Sequence, residues 1–141
     1  ATPLDTESSD RVQQYYARPL VDGEGNAITG IRNVALGDSH ALALTLDDRV
    51  VCWWRNSNGQ LGDGTNSSGS QLAKVILSNG EQLRDIIEIA VGSSHSVALH
   101  RNGHVYSWGA GEFGRLGDGT NIDSYYAVNV RNRDNNIFSL Y

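Results

Sequence analysis

The chain is poor in the residues that usually staple a small fold or carry chemistry. Cys52 is its only cysteine, which excludes an internal disulfide, a CxxC pair and a thiolate-rich metal centre. Methionine is absent altogether, even at position 1, so the opening Ala-Thr-Pro-Leu-Asp reads as the start of a processed or excised chain. No apolar run approaches the roughly 18 residues of a membrane-spanning helix. The 11 basic and 16 acidic residues leave a formal charge of −5, which gives no general attraction to nucleic acid or anionic lipid. With 141 residues there is room for one domain of ordinary size. Glycine is the one type in excess: sixteen against two prolines, which predicts many tight turns.

An internal repeat dominates what is present. Residues 28–75 align with 83–130 at a shift of 55 without a gap, and 17 of 48 positions are identical. Val34-Ala35-Leu36-Gly37-Asp38-Ser39-His40 falls on Ile89-Ala90-Val91-Gly92-Ser93-Ser94-His95. Trp53 meets Trp108, and the run of six identities spans 61–66 and 116–121. The shift extends outward, since Tyr15-Tyr16-Ala17 lies two periods before Tyr125-Tyr126-Ala127 and Gly25 matches Gly80. Residues 15–141 are therefore periodic, with 1–14 as a tail or an exchanged strand. Such periods mark repeat architectures.

Each unit reads as four short antiparallel strands. Apolar stretches begin at Ile31 and Ile86, follow the His40 and His95 turns, resume at Val50 and Val105, and return weakly at 72–77 and 126–130. Asn102-Gly103 between two such runs predicts a type I′ hairpin, in which both central residues take positive φ. No window holds a 3.6-residue period. The fold class is all-β: propeller blades of four antiparallel strands, two full and others partial, incomplete as a single chain. A blade cannot bury both faces alone, so a ring of copies or a longer parent chain would complete it.

The succession V/I-A-x-G-x-S-H, A-L, a turn, V-x-x-W, then G-Q/R-L-G-D-G-T resembles the repeat of the regulator of chromosome condensation superfamily. The stretch before Ile31 and Ile86, with Gly25 and Gly80, resembles its bacterial branch. The resemblance implies a propeller, seven-bladed in that family, whose functions range over nucleotide exchange, chromatin binding, ultraviolet perception and enzyme inhibition. Fold alone does not choose among these. The gapless alignment has no inserted wedge for exchange, the acidic charge does not suit chromatin, and three tryptophans are too few for a light-sensing cluster.

Residue by residue, the repeated positions read as structure. His40 and His95 are expected to tie loop groups together, and Trp53 and Trp108 to fill the space between blades with Leu61 and Leu116. Gly62, Gly64, Gly117 and Gly119 should take conformations closed to other residues, braced by Asp63, Thr65, Asp118 and Thr120. The glycine-rich stretch lacks the Gly-Lys-Ser/Thr of a phosphate loop. His100 and His104 lack a third ligand for zinc, and no metal or cofactor is expected.

The departures from the repeat are the binding candidates. Trp54 and Arg55 stand where the second unit has Gly109-Ala110, and aromatic and arginine side chains are the types enriched at binding hot spots. Phe113 replaces Asn58, and Tyr125 and Tyr126 fall on the outer strand. Asn66-Ser67-Ser68 is a glycosylation acceptor sequence. No nucleophile stands near a base, so the expected role is non-enzymatic protein binding or assembly through rim loops. Partners would be copies of the chain or further blades, with no nucleic acid and no membrane insertion, and an extracellular or cell-surface setting. The alternative is a secreted glycan- or small-ligand-binding, lectin-like propeller with Trp54 and Phe113 over pockets.

Overall fold

A computed structural model describes residues 20–21, 27–28, 30–66, 69–111, 116–120 and 122–141. Two four-stranded antiparallel sheets form its body. The first contains β3 (Ile31–Leu36), β4 (His40–Thr45), β5 (Val50–Trp54) and β6 (Gly69–Lys74), in the order β3-β4-β5-β6. In the second, β7 (Ile86–Val91), β8 (His95–His100), β9 (Val105–Gly109) and β10 (Ser124–Asn129) repeat that order. Each is a blade of the propeller type.

The turns within the blades correct one expectation. Gly103 has φ +94 while Asn102 has negative φ, and Asp48 at φ +66 closes the matching turn alone. Each hairpin is closed by Thr45 N–H to Arg49 O, or His100 N–H to His104 O. A type I turn followed by one left-handed residue produces this three-residue loop, so the type I′ turn is not formed. The fourth strands also sit earlier than expected. Val75 N–H still donates to Val50 O; beyond it the chain leaves the sheet, and Leu77 N–H donates to Glu81 O in a small connecting hairpin.

That connector recurs at the same 55-residue period. Ile76 bridges Gln82 and Arg131 bridges Ile137, while β1 (Leu20–Val21) pairs with β2 (Ala27–Ile28), Val21 opposite Ala27. Three connectors thus alternate with two blades among the described residues. The proposed tail 1–14 lies outside those residues.

One core fills the seam between the blades. From the first blade it takes Leu42, Leu44, Val50, Cys52, Leu61 and Val75, all buried. Leu83, Ile86, Ala98, Trp108 and Ala127 answer from the second. Alternation along a strand puts Ala43, Val51 and Leu72 on the opposite face of the first blade, where Ile31 and Trp53 pack on them. The seam is also pinned at its turn end, where Asp48 accepts from Arg32 and from Arg101, the latter at 2.5 Å.

Candidate binding rim

The two units place their shared residues alike but not in like surroundings. Trp108 is wholly buried in the seam, and its indole Nε1 donates to Gln60 O at 2.8 Å. Trp53 holds the same register, opposite Ala41 as Trp108 is opposite Ser96. It faces away from the described seam, however, and is only half-buried. Position in the array, not the motif, decides which tryptophan is core.

The GDGT segments are braced as their chemistry requires. Asp63 Oδ1 accepts from Thr65 N at 3.0 Å and Thr65 Oγ1 at 2.7 Å; Asp118 does the same for Thr120 at 3.0 and 2.9 Å. Gly62 and Gly117 sit at φ +65 and +66, and Gly64 and Gly119 both at +85. These carboxylates are occupied as turn acceptors. No group of three His, Cys, Asp or Glu among the described residues is arranged to hold a metal ion.

His40 is buried at the start of β4, with Nε2 2.7 Å from Ser96 Oγ across the seam. Burial first, and His95 second, lower its pKa to about 4. His95 is partly buried, its ring over Gly92. Burial pushes the Cys52 thiol far up, leaving it neutral and unreactive.

The departures from the repeat meet at the opposite end of the blades from the Asp48 clamp. Trp54 ends β5 opposite His40 with φ +87, while its counterpart Gly109 takes φ +104. A tryptophan therefore occupies a backbone conformation suited to glycine. It remains 40% exposed, its ring edge-on to Trp53 at 5.8 Å. Beside it Arg55 is exposed; its backbone N–H donates to Ser39 O, and its guanidinium has no partner among the described residues. Strain kept at an exposed aromatic marks a candidate functional position.

From Arg55 the loop crosses to the second blade. Asn56, fully buried, donates through Nδ2 to Thr65 O at 2.9 Å and accepts from Leu61 N at 2.9 Å, fixing the loop from inside. Asn58 Nδ2 then donates to Asp123 Oδ2 at 2.9 Å, while Gly111 N donates to Asp123 Oδ1 at 3.0 Å. Tyr125 packs over Gly59, and its carbonyl accepts from Gly64 N at 2.7 Å. Ile122, Asp123, Ser124, Tyr125 and Tyr126 line an open groove here. Ile122 is 71% exposed and Tyr126 38%.

The structure thus places Trp54, Arg55, Tyr125 and Tyr126 at one end of adjacent blades, with Tyr125 turned into the seam. Phe113 lies outside the described residues. Sequence reasoning missed Asn56, Asn58 and Asp123, which build the crossing; their counterparts Gly111, Phe113 and Ser68 share no chemistry with them, so the repeat gives no signal.

The RCC1 (regulator of chromosome condensation) repeat matches residues 31–60 and 86–115 in one form, and 47–99 and 102–132 in another. This chain belongs to the RCC1 repeat family. It is 38% identical over 99 residues to the ultraviolet-B receptor UVR8 of Arabidopsis thaliana, covering 69% of this chain and 22% of the receptor. It is 40% identical over 93 residues to the human E3 ubiquitin-protein ligase HERC2, covering 64% of this chain and 2% of the ligase. The chain therefore spans under a quarter of either relative. Human WBSCR16 gives the structural likeness, with a TM-score of 0.63 at 23% identity over 75% of this chain and 27% of that one. That likeness concerns the fold.

Proposed function

We propose that this RCC1-repeat segment is a non-catalytic protein-binding element whose contact surface is the rim from Trp54 and Arg55 to Ile122 and Tyr126. The strained, exposed Trp54 is the observation that carries the reading. A side chain that conflicts with its own backbone contributes little to folding there, and an exposed aromatic beside an exposed arginine fits a protein contact.

Self-assembly, an extracellular setting and the bacterial-type repeat belong to the same proposal at a finer level. Val97, Leu99 and Val105 are half-buried where Leu42, Leu44 and Val50 are buried. That difference supports a further blade, or a copy of the chain, stacking on the second blade. The bacterial-type reading rests on the matched Gly25 and Gly80 alone; the relatives above are eukaryotic.

The test is a Trp54→Gly exchange. Relieving the strained φ, worth about 1–3 kcal/mol, should offset the packing lost from a half-exposed ring. Stability by urea denaturation is expected to change by no more than about 1 kcal/mol. A protein captured by the unaltered chain should be lost by Trp54→Gly and by Ile122→Ser, but kept by Arg49→Ser at the other end. Loss only with Arg49→Ser would place the contact at the wrong end and refute the reading.

A further inference from the structure

The seam contains a buried polar cluster beneath the rim, joined to it where Gln60 Oε1 accepts from Asn58 N–H at 2.8 Å. His40, Gln60 and Ser96 are all fully buried there. Ser96 Oγ lies 2.7 Å from His40 Nε2 and 3.3 Å from Gln60 O, the carbonyl that also takes the Trp108 indole N–H. A single hydrogen-bonding scheme satisfies these distances: the Ser96 hydroxyl donates to Gln60 O and accepts from His40 Nε2–H. The imidazole is then neutral with its proton on Nε2. His40 Nδ1 is buried and has no direct side-chain hydrogen-bond partner among the described residues.

We propose that His40 is an acid-sensitive latch between the two blades, closed when its ring is neutral and released when the ring is protonated. A second proton would make the ring a cation in the seam; burial opposes it most and the His95 ring next, and both outweigh the backbone hydrogen bond at His95 that favours the charged form. The ionisable groups on the packed elements give no relief. On β8, His95 opposes a positive charge, and His100 lies at the strand's far end. On β5 the only one is Cys52, held neutral; β7 carries Glu88 and β3 carries Arg32, both exposed. Asp38, two residues before the ring, is exposed as well. No carboxylate among the described residues bonds the imidazole.

The sign follows from linkage. The folded-state pKa lies below the ordinary 6.5, at about 4, so below pH 6.5 the unfolded or opened seam binds more protons than the closed one. The latch contributes its full stability above pH 6.5 and loses it as the pH falls towards 4. Because Asn58–Asp123 and Gly59–Tyr125 span the same seam, opening it would dismantle the rim and release whatever is bound. That last consequence rests on the rim reading; the latch does not.

Histidine-labelled NMR of the full chain tests the latch directly. The expected His40 ring stays neutral through pH 5, then titrates together with loss of the protected Trp108 indole proton signal. Titration near 6.5 with that signal undisturbed would overturn the proposal. His40→Gln supplies the second arm. Between pH 6.5 and 4 the unaltered chain's unfolding constant should rise on the order of a hundredfold more than that of His40→Gln, with His100→Gln behaving like the unaltered chain. Equal acid responses in His40→Gln and the unaltered chain would also overturn it. If His40→Gln does not fold, the NMR titration decides alone.

Discussion

Replacing Trp108 with alanine should cost about 3–5 kcal/mol, the range for deleting a large buried aromatic. The loss has two parts. The cavity opens in the seam core beside Leu61, Val75 and Ile86, which cannot close over it without moving one blade towards the other. Gln60 O also loses its strongest donor, since Ser96 Oγ stands at 3.3 Å against 2.8 Å for the indole. Trp53→Ala is the control. The same residue in the same register is half-exposed and accepts no such duty, so its loss should be less than half as large. Urea unfolding of both variants measures the difference, and equal losses would contradict the assignment of the seam.

Gly59→Ala should be as damaging although it adds only a methyl group. Gly59 has φ +81, and a Cβ there would stand 2.5 Å from Tyr125 Cδ1, 2.7 Å from Ser124 O and 2.8 Å from Tyr125 Cα. Two of those three atoms are backbone of the other blade, so a rotamer change cannot clear them. The expected loss is about 3 kcal/mol or more, combining left-handed strain with overpacking. Gly80→Ala separates the two causes: Gly80 has φ +88 with nothing within 4 Å of a Cβ. It should lose only about 1–2 kcal/mol, the backbone share. Thermal melts of the pair read the contact contribution as their difference.

Much of this architecture was legible because it repeats. Each blade has the strand order implied by the 55-residue period, and Asp63 and Asp118 brace their turns as an Asp two residues before a Thr can. The turn at Asn102-Gly103 was misread because Asn-Gly serves two hairpin types, and the loop length that separates them depends on where pairing stops. His100 N–H to His104 O sets that limit. Trp53 and Trp108 carry identical local signals, so only their position relative to the seam distinguishes them. The Asn58–Asp123 contact joins residues 65 apart, and neither repeats. Trp54, by contrast, stood out in sequence because it replaces a glycine, and its φ of +87 gives the physical reason that the replacement is unusual.

The central claim is that the rim across the two blades is the contact surface. Hydrogen exchange on the chain with its captured partner, against the chain alone, tests it most directly. Slowed exchange is expected at 54–58 and 122–126, with no change at the 46–49 and 101–104 turns at the opposite end. Protection confined to those turns, with the rim exchanging as in the free chain, would contradict the account.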